Sequence, residues 1–153
     1  MNSIMTFSDS YVSFTTMNKE SVLIAFIKKH YLADHCEYFF DIMFNCVDKS
    51  ARFYAAKSTS NLINKAFKIW GICSEDEKTK DHPRVLELYK VIDEFMTLVL
   101  YKIHEKDCQK QWSKLENYFT LLEEIGTAGR YQTAYFLQKL DFVTDICDVM
   151  MGN

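Results

Sequence analysis

Glycine and proline are almost missing from the first half of this chain. Of its four glycines and one proline, none precedes Gly71. β-Sandwiches and barrels need turn residues at close intervals, and Rossmann and P-loop nucleotide sites need clustered glycines. Neither supply exists here. Reversals in the first 70 residues therefore have to be made on Asp and Asn caps, as tight helical hairpins can do. A chain of 153 residues that is 48% hydrophobic and 15% aromatic has enough apolar side chains for a sizeable core. The expected fold class is all-α.

Apolar spacing supports that reading and sets the expected elements. Residues 1–17 show no sustained period and are expected to be a loosely ordered lead-in to a single helical domain over 18–153. Val22, Leu23, Phe26, Ile27 and Tyr31 recur at helical spacing behind a possible Asn18 cap. Asp34 and Glu37 form a capping-box pair ahead of a helix with Cys36, Phe39, Phe40, Met43 and Val47 on one face. Asp48 caps a third helix, whose expected inner stripe is Ala51, Ala55, Ser58, Leu62, Ala66 and Ile69. Gly71 is expected to close it, followed by an internal loop over 71–83 that carries a charge run at 75–81. Pro83 suits the first turn of a helix carrying Val85, Leu88, Ile92, Phe95, Met96, Val99 and Ile103. After a polar break at 105–110 comes a helix with Trp112, Leu115, Phe119, Leu122 and Ile125. Gly126 and Gly129 bracket the next turn, and helices over 130–139 and 141–150, the latter capped by Asp141, bring the expected number to seven.

The stretch from Asp48 through Ala51, Arg52 and Ala55 is the most informative. Helical hairpin repeats of the HEAT and armadillo kind often open their second helix with Asp, a small residue, Arg and then Ala. Asp caps the helix, Arg52 can reach back to that carboxylate and the turn, and Ala lets the partner helix approach closely. Antiparallel hairpins stacked in an armadillo- or HEAT-like manner are the expected architecture, with a generic helical bundle as the alternative.

Charge and chemistry narrow the task mainly by exclusion. The net charge of −3 offers no basic stripe of the sort nucleic acid requires, and no apolar run is long enough to span a bilayer. Five scattered cysteines, Cys36, Cys46, Cys73, Cys108 and Cys147, read as free thiols of a reducing, cytoplasmic compartment. His30, Asp34, His35, Cys36 and Glu37 are the one cluster of metal-ligand types. The two histidines are five apart, awkward for one helical face, so no metal and no cofactor is expected. Cys108 and His104 are a possible thiol and base pair with no glycine loop nearby for an oxyanion site, and no catalytic residue is expected. Met17, Met43, Met96, Met150 and Met151 read as core filler.

The second half resembles a known family. Trp112, Tyr118, Phe119, Leu121 and Leu122 precede a glycine-bracketed turn, then Tyr135, Phe136 and Leu137, then Asp141, Phe142, Val143, Asp145, Ile146, Asp148 and Gly152. This pattern is similar to the helical region beyond the catalytic domain of very large ubiquitin-specific proteases of the fat-facets type. The segment from Glu37 to Met43, leading into Cys46, Val47, Asp48, Ala51 and Arg52, is similar to the preceding hairpin of that region. The likeness extends from about Tyr31 to Gly152, and the family's Cys and His boxes are absent. It implies a non-catalytic helical scaffold flanking a deubiquitinase domain, bound to a protein partner or to a neighbouring domain of one longer polypeptide. A free-standing helical adaptor is the alternative.

Overall fold

Six helices, and no strand, make up the described part of the chain. The computed structural model describes residues 20–32, 38–104, 112–139, 141, 143–144, 147–148 and 151. Helix α1 covers residues 20–32, its last turn Lys28–Leu32 being π-helical. It is followed by α2 (Tyr38–Asn45), α3 (Lys49–Glu75), α4 (Pro83–Ile103), α5 (Trp112–Gly126) and α6 (Arg130–Gln138). Helical backbone recurs at 141, 143–144 and 147–148 without a further complete helix among the described residues, so six helices stand where seven were expected. Asp141 is itself helical. Asp34, Glu37 and the lead-in over 1–17 lie outside the described residues, as does the break at 105–110.

Local chemistry explains where these helices start and stop. Asp48 is the N-cap of α3, its Oδ1 accepting a hydrogen bond from the Ser50 N–H at 2.9 Å. Arg52 reaches back as expected, but to backbone rather than to the Asp48 carboxylate: its Nη1 donates to the carbonyls of Cys46 at 2.6 Å and Val47 at 3.3 Å. Pro83 is the first residue of α4, where its missing N–H has no consequence. His82 caps that helix, with Nδ1 accepting from the Arg84 N–H at 3.1 Å. Gly126 ends α5, and Gly129 precedes α6 in extended backbone with φ 177°.

α3 is the axis of the assembly, in contact with α2, α4, α5 and α6. Its 27 residues span about 40 Å at 1.5 Å per residue. α1 lies along α4, where Ser21 meets Arg84, Lys28 pairs with Glu87, and the Tyr31 and Phe95 rings meet edge-on at 5.5 Å. On its other side the Tyr31 hydroxyl bonds the Thr59 hydroxyl of α3 at 3.0 Å. α6 covers the opposite flank, with Tyr135 against Phe67 of α3 and Tyr89 of α4. Between them Met43, Ile63, Phe67, Leu88, Ile92, Phe95, Met96, Ile103, Leu121 and Ile125 are excluded from water. The inner stripe expected for α4 is buried at every position.

The inner face of α3 is not the expected one. Ala56, Thr59, Ser60, Ile63, Ala66, Phe67, Gly71 and Cys73 are buried. Ala51, Ala55, Leu62 and Ile69 are half-buried, Ser58 is exposed, and of the expected stripe only Ala66 is buried. The helix is rotated by about one residue's worth, roughly 100°. Thr59 and Ser60 disguised the true face. Both are buried without loss because Thr59 bonds Tyr31 and the Ser60 Oγ donates to the Lys57 carbonyl at 2.8 Å.

Gly71 does not close α3 either. The helix continues to Glu75, so the connection to α4 shrinks from 71–83 to 76–82. A Cβ on Gly71 would run into the Tyr131 ring, so the glycine allows α6 to approach rather than ending a helix. Val47, expected on the inner face of α2, lies beyond the end of that helix and is 96% exposed. Met43 and Met96 are fully buried, but Met151 is 77% exposed, while Met17 and Met150 lie outside the described residues.

An alanine within a helix is ordinarily about 1 kcal/mol better than a glycine. Gly71→Ala is expected to reverse that sign, because overpacking costs about 1–3 kcal/mol. Urea unfolding of Gly71→Ala alone and in a Tyr131→Ala background checks this: the substitution destabilises the first protein and stabilises the second.

Candidate functional site

The thiols and histidines do not come together into a reactive centre among the described residues. Cys73 is buried, Cys46 half-buried and Cys147 exposed, while Cys36 and Cys108 lie outside the described residues. Burial pushes the Cys73 thiol up to about 12, and the adjacent Glu20 adds to the rise, so it is a poor nucleophile at neutral pH. Glu20 itself is fully buried beside the Cys73 thiol, and no N–H or O–H group among the described residues donates to its carboxylate. His30 packs on Phe26 at 4.4 Å and Phe39 at 5.5 Å; its possible co-ligands His35 and Cys36 are outside the described residues. No three His, Cys, Asp or Glu side chains among the described residues are close enough to share a metal ion. His104 caps the end of α4, with Cys108 again beyond the described residues.

A second cluster joins α3, α4 and α6. The buried Tyr135 hydroxyl donates to Asp93 Oδ1 at 2.7 Å, and Lys139 Nζ pairs with the same oxygen at 3.2 Å. Gln132 donates to Asn64 Oδ1 at 3.0 Å, and Asn64 in turn donates to the Glu124 carbonyl at 3.1 Å. Trp70 packs on Tyr89 at 5.0 Å and on Tyr131 at 6.3 Å. At these separations the rings fill the space between them, so they hold helices together rather than enclose a cation. Arg130 and the Tyr131 hydroxyl close the outer edge by bonding Glu75 at 2.8 and 3.0 Å. Sequence reasoning missed this cluster, since its members are spread over some seventy positions with no local motif.

The outer face of α3 is different in kind. Phe53, Tyr54 and Ile72 are 46%, 66% and 52% exposed. Between them Lys57, Asn61, Lys65 and Lys68 point outward, and Lys57 Nζ sits 5.8 Å from the Phe53 ring centroid. Aromatic and aliphatic groups held out in water on a long helix, anchored on its other side to four neighbours, can supply binding energy to a protein surface. The residues singled out from sequence, Asp48 and Arg52, sit at the start of this helix and orient it; they are not part of the face. No helix among the described residues is long and apolar enough to cross a membrane.

Titration reports on the buried groups. Burial raises the Tyr31 hydroxyl, and burial followed by Asp93 raises that of Tyr135. Cys73 and both tyrosines keep their protons to higher pH folded than unfolded, so above their ordinary values of 9.0 and 10.0 the unfolded chain binds fewer protons. The stability these three groups contribute is therefore fully present below about pH 9 and is lost as pH rises from there. Thermal melts against pH are expected to show that decline, and Tyr135→Phe and Cys73→Ala each to flatten it. Comparison with protein-family models, with curated proteins and with solved structures finds no match to this chain.

Proposed function

We propose that the chain is a non-catalytic helical interaction module that binds a protein through the outer face of α3. The observation that carries this reading is the exposure of Phe53, Tyr54 and Ile72 on one rigid helix. Such a helix needs no rearrangement to bind, so little ordering cost opposes the burial of its rings. The likeness of residues 112–122 and 141–152 to the helical region flanking large ubiquitin-specific proteases supports a scaffold beside a deubiquitinase domain. In that setting neighbouring hairpins extend the surface in an armadillo- or HEAT-like stack. The second reading is a free-standing helical adaptor unrelated to ubiquitin. It is favoured by the contact of α3 with four other helices, which closes a bundle around one axis rather than opening a linear stack.

A photo-crosslinking residue in place of Tyr54 tests both. The scaffold reading expects crosslinks to a ubiquitin-specific protease or another ubiquitin-system protein, lost in Phe53→Ser/Tyr54→Ser with the helical circular dichroism unchanged. Crosslinks only to proteins outside that system select the adaptor, and no crosslink at all removes both. The chain is expected not to release rhodamine from ubiquitin–rhodamine; release abolished by Cys108→Ala would overturn the non-catalytic assignment.

A further inference from the structure

We propose that the outer face of α3 docks an acidic amphipathic helix of a partner protein. This rests on the interaction reading above and specifies the partner's chemistry. The basis is a charge pattern opposite to that of the chain as a whole. The protein carries a net charge of −3, yet α3 has no acidic residue between Lys49 and Glu75. Lys57, Lys65 and Lys68 are exposed on one side of it, and none pairs with a carboxylate among the described residues. The exposed Glu116 and Glu123 of α5 make no ion pair with them.

Exposed Lys29, Lys78 and Lys90 likewise have no ion pair among the described residues, whereas four other cations do. Lys28 meets Glu87, Lys80 meets Glu77, Lys139 meets Asp93 and Arg130 meets Glu75. What distinguishes the lysines of α3 is that they share one carboxylate-free helix face with the exposed Phe53, Tyr54 and Ile72, and complementary charge on a partner steers encounter and sets register there. The spacing fits a helix. Lys57 and Lys65 are separated by about 12 Å along the axis, and Phe53 and Ile72 by about 28 Å, at 1.5 Å per residue. A partner helix of about 20 residues covers that length, with apolar anchors toward both ends and carboxylates between them. A nucleic-acid strand is the poorer occupant, because three lysines neutralise few phosphates while the remaining surface repels them.

The test uses the full chain and fluorescein-labelled probes in anisotropy titrations. The probes are a designed helix of Leu, Ala and Glu with Leu at i, i+3, i+4 and i+7, the same peptide with Lys for Glu, and a single-stranded DNA oligonucleotide. The acidic peptide is expected to bind, with affinity falling as salt rises. Lys57→Glu/Lys65→Glu/Lys68→Glu and Phe53→Ser/Tyr54→Ser, each with unchanged circular dichroism, are expected to weaken it about tenfold or more. Equal binding of the basic peptide, no loss in either variant, or tighter binding of the DNA would falsify the proposal. The crosslink at Tyr54 separates the two levels: if it persists while charge reversal weakens nothing, a protein docks here but is not acidic. If crosslink and peptide binding are both absent, the interaction reading falls as well.

Discussion

Four helices close around α3, and they can do so because its inner arc alternates small and large side chains. Ala56, Ser60, Ala66 and Gly71 let neighbouring backbones come close, while Ile63 and Phe67 fill the space between them and are completely removed from water. The Tyr131 ring lies where any side chain at position 71 would go. An apolar stripe of uniform bulk would keep α4 and α6 farther out, and the aromatic contacts that join them would open. The rest of the arrangement follows from this arc. α1 and α6 take opposite flanks of the α3 and α4 pair, and α2 and α5 close the remaining side through Phe44 stacked on Tyr118 at 3.5 Å.

Polar groups decide which of many similar hydrophobic packings is adopted. Tyr135 brings its hydroxyl to Asp93 only if α6 sits at one height along α4, and Gln132 reaches Asn64 only at that same height. Leaving these groups unpaired in the interior costs more than the bonds themselves contribute, so the network selects register more than it adds stability. Tyr31 and Thr59 do the same for α1. One face of α3 is given over entirely to this internal work. The opposite face, with its exposed rings and lysines, is thereby held still and outward, which is the condition for the interaction role proposed.

Much of the fold was legible from the residues, and the failures share a cause. The α4 stripe was readable because Val85, Leu88, Ile92, Phe95, Met96, Val99 and Ile103 are all apolar, so period and burial agree. The Asp48 cap was readable because it acts within two residues of itself. α3 misled because its inner face carries Thr59 and Ser60 while its outer face carries Phe53, Tyr54 and Ile72. Equating apolar with inside rotates such a helix. Gly71 misled for a related reason: a glycine late in a helix commonly ends it, and nothing local announces a ring from sixty residues away. The candidate face was hidden by the same inversion that misplaced the stripe.

By itself the sequence determined the helical class, the positions of most helix ends and the inner face of α4. These are local matters, settled by the near absence of Gly and Pro, by capping side chains and by a 3.6-residue period. Only the tertiary structure decided which side of α3 faces inward, that Gly71 lies within a helix, and that Asp93, Tyr135 and Lys139 meet. The physical reason is that burial of a polar or very small side chain is favourable only when a distant partner completes it. Tyr31 for Thr59 and Tyr131 for Gly71 are such partners, and chain proximity does not reveal them.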